Sequence, residues 1–170
     1  MASIGLDEEV NSIVTLISGD NQRFDISKDI AYKSSQLINT MIDGDSTVAE
    51  IPLPNVKGNV LHKIIEYMNY HCDKPVTEIE KPIRSNNISE IVCPFDADFV
   101  QIDDELLFDL ILAANYMDMK PLLDLTCATV ASFMKNKTAE EIRKRFNIEN
   151  DLSPEEEAMI HEENKWAEEN

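Results

Sequence analysis

The residues best suited to chemistry in this sequence are three histidines, His62, His71 and His161, and three cysteines, Cys72, Cys93 and Cys127. Imidazole and thiolate are the donors of tetrahedral zinc sites, but such sites draw their ligands from closely spaced pairs. Only His71 and Cys72 are close neighbours here, so no zinc set is spelled out. A second candidate opens at Asp43 and Asp45, which read like the first ligands of a calcium loop. Val48 stands where that loop needs glycine, and Pro54 where it needs the bidentate glutamate. Gly5, Gly19, Gly44 and Gly58 are scattered singly, which leaves no phosphate-cradling loop, and neither G-x-S-x-G nor H-E-x-x-H occurs. Carboxylates abound, yet without a partner group a charge run reads as a solvated helix face. The expectation is no catalysis, no metal and no cofactor. An acidic calcium buffer or a small hydrolase stays formally open, with no motif to support either.

With 170 residues, 43% of them hydrophobic, the chain can bury a core as one domain, or as one domain with an appended module. A net charge of -18 repels phosphate backbones and anionic lipid, and no basic patch offsets it. Neither nucleic acid nor a membrane is an expected partner. No apolar run is long enough to span a bilayer, and "MASIGLDEEV" lacks the basic start and apolar stretch of a secretory signal. An odd number of widely spaced cysteines suits a reducing compartment, so a soluble intracellular protein is expected and the triplets at Asn87 and Asn136 are discounted as glycosylation sites.

The elements that must position any functional side chain follow from periodicity. "SIVTLIS", the turn "GDN" and "RFDIS" read as a β-hairpin over residues 12–26. In "SSQLINTMIDG", Leu37/Ile38 and Met41/Ile42 recur four residues apart, with Ser34 or Ser35 to cap the helix and Gly44 to end it. "EIPLPN" is a short or edge strand, because Pro52 and Pro54 lack a donor. Val60, Leu61, Ile64, Ile65 and Met68 form one stripe of a helix that should pack on the sheet. Residues 73–93 carry two prolines and mixed charge without a sustained period, which marks a long loop or partly disordered excursion between two halves. Beyond it, Leu106, Leu107, Leu110, Ile111 and Ala114 mark a helix opened by Asp103 and Asp104. A second helix starts near Pro121 and carries Leu122, Leu123, Cys127, Val130, Phe133 and Met134, so the two predict a helical hairpin.

The end of the chain poses the functional question. From Arg143 on it holds nine carboxylates, yet also Phe146, Ile148, Leu152, Met159, Ile160 and the only tryptophan, Trp166. Thr138 with Glu141, and Ser153 with Glu156, show the spacing of reciprocal capping boxes, and Pro154 strengthens the second. A disordered acidic tail has no use for them, so two short helices are predicted. Isolated helices of this length are marginal in water and need a surface to lie on. Either their apolar residues fold back on the chain's own core, or they grip a partner.

The stretches "PLPNV", "LFDLILAANYMDMKPLLDLTCATVA", "KTAEEIRKRFNIENDLSPEEEA" and "ENKWAEE" resemble the Skp (S-phase kinase-associated protein) adaptor family. Its members recruit F-box proteins to cullin-based SCF ubiquitin ligases. The resemblance spans nearly the whole chain and is weakest over residues 73–93. It implies an α+β fold: a BTB/POZ-like domain, with a small sheet flanked by helices, plus a C-terminal helical extension. The implied parts are residues 1–72, the N-terminal part of the domain; 73–93, a variable polar loop; 94–134, its C-terminal helices; and 135–170, helices that bind the F-box.

By the same resemblance, Asn115 and Tyr116 would contact the N-terminal domain of a cullin. Phe108, Ile111, Leu123, Cys127 and Val130 would floor the F-box site, with Phe146, Ile148, Ile160, Asn164 and Trp166 added from the tail; some of the floor would also serve the intrinsic core. Leu106, Leu107 and Leu110 are assigned to the core. A cytoplasmic and nuclear location, and a homodimer when the F-box protein is absent, are implied too. Two positions depart from relatives: Ala139 replaces a proline that is hydroxylated and glycosylated in some protist members, and Ala167 replaces a cysteine. The rival reading, an adaptor of the elongin C type, lacks the C-terminal helices; a specialised Skp paralogue outside SCF is a further alternative.

Overall fold

The computed structural model describes residues 12–168, which form two units divided after Lys135. The first is built on a three-stranded sheet of order β2-β1-β3. Strands β1 (Ile13–Ser18) and β2 (Arg23–Ser27) form the expected antiparallel hairpin, with Leu16 opposite Phe24. Alternation places Val14 and Leu16 inward, both fully buried, while Ile13 and Thr15 face out. Strand β3 (Glu50–Leu53) runs parallel to β1 at the sheet edge, where Pro52 interrupts no ladder.

The hairpin turn also starts a helix. Helix α3 (Gly58–His71) has no side-chain cap of its own, and the Gly58 N–H donates instead to Asp20 Oδ1 at 2.8 Å. The Ser18 hydroxyl holds the Asp20 carboxyl below its usual range, against some desolvation, and Gln22 and the Gly58 N–H pull the same way. Gly19 is required in this turn, because a Cβ there would overlap the Pro54 carbonyl oxygen. Val60, Leu61, Ile64 and Met68 of α3 are buried as the stripe predicted, joined by Tyr67, while Ile65 is half-buried.

Two short helices, α1 (Lys28–Ser34) and α2 (Gln36–Gly44), connect β2 to β3. Ser35 is the α2 cap: its Oγ accepts from the Ile38 N–H at 3.3 Å and donates to the Met117 carbonyl at 2.6 Å. The first unit is completed by α4 (Pro94–Phe99), α5 (Asp104–Tyr116) and α6 (Lys120–Met134). Asp103 caps α5 by accepting from the Leu106 N–H at 2.9 Å, and α5 and α6 pack as a helical hairpin turned by Asp118 at φ 50°.

Residues 73–93 are irregular, as expected, apart from one short turn at Ile88–Glu90, but they are anchored at several points. Ile79 and Ile88 are buried in the core, Lys81 pairs with Asp124 of α6 at 2.7 Å, and Lys135 Nζ donates to the Ile83 carbonyl at 3.1 Å. Isolated isoleucines at irregular spacing leave no period, yet each adds about 1.5–3 kcal/mol when buried. Helix α4 then docks on the end of α3 through the stacked rings of Tyr70 and Phe95, and through His71 Nε2 and Asp96 Oδ1, 2.9 Å apart and nearly sealed from water. Burial pushes the Tyr67 phenol well above its usual range, with the Asp96 and Cys93 charges adding to it.

In the second unit, α7 (Ala139–Phe146) and α8 (Pro154–Glu168) begin where the two capping boxes predict. Thr138 N–H donates to Glu141 Oε2 at 2.9 Å and Glu141 N–H to Thr138 Oγ1 at 3.2 Å. Ser153 and Glu156 repeat the exchange at 2.9 and 3.3 Å. No residue from 136 to 165 is buried.

Candidate functional site

Helix α5 is apolar on nearly every side, so burial decides which residues remain available to a ligand. Leu107 and Leu110 are buried, and Leu106 is half-buried against the core. Phe108 keeps 42% of its surface exposed, Ile111 is half-buried, and Asn115 is exposed at the last turn beside Tyr116, which packs partly on the core. Leu112, absent from the expected site, is the most exposed of these at 67%. One helical turn separates it from both Phe108 and Tyr116, and only its solvent exposure distinguishes it from the core leucines.

On α6, Leu123, Cys127 and Val130 fall at the spacing of one helical face. Leu123 is half-buried against the core, Val130 half-buried, and Cys127 exposed. Of the five expected floor residues, therefore, none is fully buried, and Leu123 is the one on this helix that also serves the core. Partial burial raises the Cys127 thiol pKa, the Asp124 charge adds to the rise, and Lys81 opposes it.

In the second unit, Ile148 and Ile160 are exposed, Asn164 is exposed, and Phe146 is half-buried with the Arg145 guanidinium 5.8 Å from its ring. A cleft of about 510 Å³ runs between α7 and α8, lined by Ala139, Arg143, Leu152, Ala158, Ile160 and Asn164 among others. The structure thus brings Ile160 and Asn164 to one cleft. Trp166 falls in α8, and its side chain lies outside the described residues. A hydrogen-bond hub that no sequence period reveals ties the two helices: Glu157 Oε1 accepts from Arg143 Nη1 and from Asn150 Nδ2, both at 3.0 Å.

Among the described residues no group of three His, Cys, Asp or Glu side chains is placed to hold a metal ion, and no helix is long and apolar enough to cross a membrane. The first unit, a small mixed sheet covered by helices, is an α+β domain that leaves Phe108 and Leu112 of α5 open, and the second unit leaves Ile148, Met159 and Ile160 open.

Comparison with known proteins supplies the family. The model described as "Skp1 family, tetramerisation domain" matches residues 12–73, and "Skp1 family, dimerisation domain" matches residues 120–167. The chain is 54% identical over 157 residues to the S-phase kinase-associated protein 1 homolog of Tetrahymena thermophila, covering 92% of this chain and 94% of that one. It is 46% identical to the SCF ubiquitin ligase complex protein SKP1b of Dictyostelium discoideum, covering 92% and 96%. It is 44% identical to the suppressor of kinetochore protein 1 of Schizosaccharomyces pombe, covering 92% and 98%. The chain belongs to the Skp1 family, and its first unit has the POZ-type α+β fold.

Proposed function

We propose that this protein is a non-catalytic adaptor that links F-box substrate receptors to a cullin scaffold in an SCF-type ubiquitin ligase. The relative from Dictyostelium is named as a protein of the SCF ubiquitin ligase complex, which supports the reading. The observation that carries it is the set of large apolar side chains left open: Phe108 on α5, Ile148 after α7 and Ile160 on α8. On a chain this acidic, large apolar side chains left open on α5, after α7 and on α8 support a docking surface that a second polypeptide covers.

In this reading the F-box protein engages Phe108, Ile111, Leu123, Cys127 and Val130 in the first unit, and Phe146, Ile148, Ile160, Asn164 and Trp166 in the second. The cullin N-terminal domain engages Asn115 and Tyr116, an amide that supplies hydrogen bonds beside an amphipathic ring. The three free cysteines fit work in the reducing cytoplasm and nucleus. Pull-down of an F-box fragment and of a cullin N-terminal domain by the folded protein tests the proposal. Tyr116→Lys should lose the cullin and keep the F-box fragment, and Ile148→Asp the reverse. Capture of neither partner by the folded wild type would overturn it.

A further inference from the structure

The second unit has to present a defined cleft although none of its residues from 136 to 165 is buried. Ile142, Phe146 and Leu152 are only half-buried, so no fully sealed apolar contact fixes the angle between α7 and α8 there. A polar link runs between them through one residue used twice. The Arg143 carbonyl accepts the Asn147 N–H and, at 2.8 Å, the Ile148 N–H, which ends α7 and turns the chain through Asn147 at φ 50°. The Arg143 guanidinium meanwhile reaches Glu157 in the first turn of α8, a carboxylate oxygen that Asn150 of the connecting loop also holds. Arg143 is the less exposed partner, with 24% of its side-chain surface open against 47% for Glu157, and it lines the same cleft as Ile160 and Asn164.

We propose that the Arg143–Glu157–Asn150 hub is a positioning device that sets the α7–α8 cleft before an F-box protein arrives. The proposal rests on the reading of that cleft as part of the F-box site. Arg143 and Glu157 act through the geometry they impose on Ile148, Ile160 and Asn164. A helix pair held by a half-exposed charged contact is also tuned by ionic strength, since screening weakens such contacts. Part of the salt dependence of F-box binding then belongs to this chain alone.

The test measures the affinity of the full chain for an F-box fragment by calorimetry, at low and high salt. It compares the wild type with Arg143→Gln, Glu157→Gln, Arg143→Lys and the charge reversal Arg143→Glu with Glu157→Arg. Hydrogen exchange at the Ile148 amide reports the free protein. The expected result is a loss of about three- to tenfold for each glutamine variant, with faster exchange at Ile148 and a flatter salt dependence. The lysine variant should fall between them and the wild type. The reversal should recover part of the loss, since Asn150 has no acceptor in it and a cation sits at the α8 N-terminus. Cullin binding should be unchanged throughout. If the wild type binds and the glutamine variants bind equally well, or the reversal is no better than either single change, the hub has no positioning role and the F-box reading stands. If the wild type binds no F-box fragment, both fall together.

Discussion

Leu107 and Phe108 are neighbours in sequence on opposite duties, and truncating each to alanine separates stability from binding. Leu107 is 1% exposed in the core, so Leu107→Ala should remove about 2–5 kcal/mol of stability. Its melting temperature should drop by about 4–20 °C. Phe108 is already 58% covered by its own chain, and its remaining 42% is what a partner can bury. Complete burial of such a side chain is worth about 1.5–3 kcal/mol, so the exposed part carries about 0.6–1.3 kcal/mol. That corresponds to about a three- to ninefold loss of F-box affinity. Thermal unfolding followed by circular dichroism, and calorimetry with an F-box fragment at a temperature where both variants are folded, read the two quantities. Phe108→Ala should lose that affinity and, because its covered part is worth only about 0.9–1.7 kcal/mol, melt a few degrees below the wild type and well above Leu107→Ala. If it melts as early as Leu107→Ala, the division of α5 into a core face and a docking face is wrong. If it changes neither melting nor affinity, Phe108 has no part in the interface.

Gly19→Ala should destabilise by about 1–3 kcal/mol in urea, because its Cβ meets a backbone carbonyl, whereas Gly44→Ala, with open space around it, should be neutral or slightly stabilising. Asn147→Val forces a β-branched residue into the left-handed region and should cost the second unit about 1–2 kcal/mol, while Asn147→Gly should be tolerated; exchange at the Ile148 amide reads both. Glu141 is held below its usual range by the Thr138 N–H and then by Lys137, and Glu156 by the Ser153 N–H and then its hydroxyl. A depressed carboxylate stabilises the fold above its unfolded pKa, and that contribution is lost as pH falls through the depressed folded value. The first turns of α7 and α8 should therefore fray on acidification below the ordinary glutamate range, and Glu141→Gln with Glu156→Gln should lessen that pH dependence as read by exchange at the backbone amides of positions 141 and 156.

What the sequence made legible was local. The hairpin, the α3 stripe, the Asp103 cap and both capping boxes depend on residues a few positions apart, and each formed as read. Helix α1 was missed because "KDIAYKS" buries only Ala31, and α4 because its six residues are too few to establish a period. The long-range contacts left no pattern at all: Asp20 capping α3, Ile79 and Ile88 anchoring the loop, and Arg143 reaching Glu157. The site was legible through family resemblance more than through physics. On α5, Leu106, Leu107, Phe108, Leu110, Ile111 and Leu112 are all apolar, so periodicity cannot separate core from docking surface, and only the fold shows that Leu112 is exposed.

Bridging requires that one molecule hold both partners at once. Sedimentation velocity of the full chain mixed with an F-box fragment and a cullin N-terminal domain tests this most directly. The adaptor account predicts a single species containing one copy of each. Complexes with either partner that never combine, with each partner displacing the other, would contradict it.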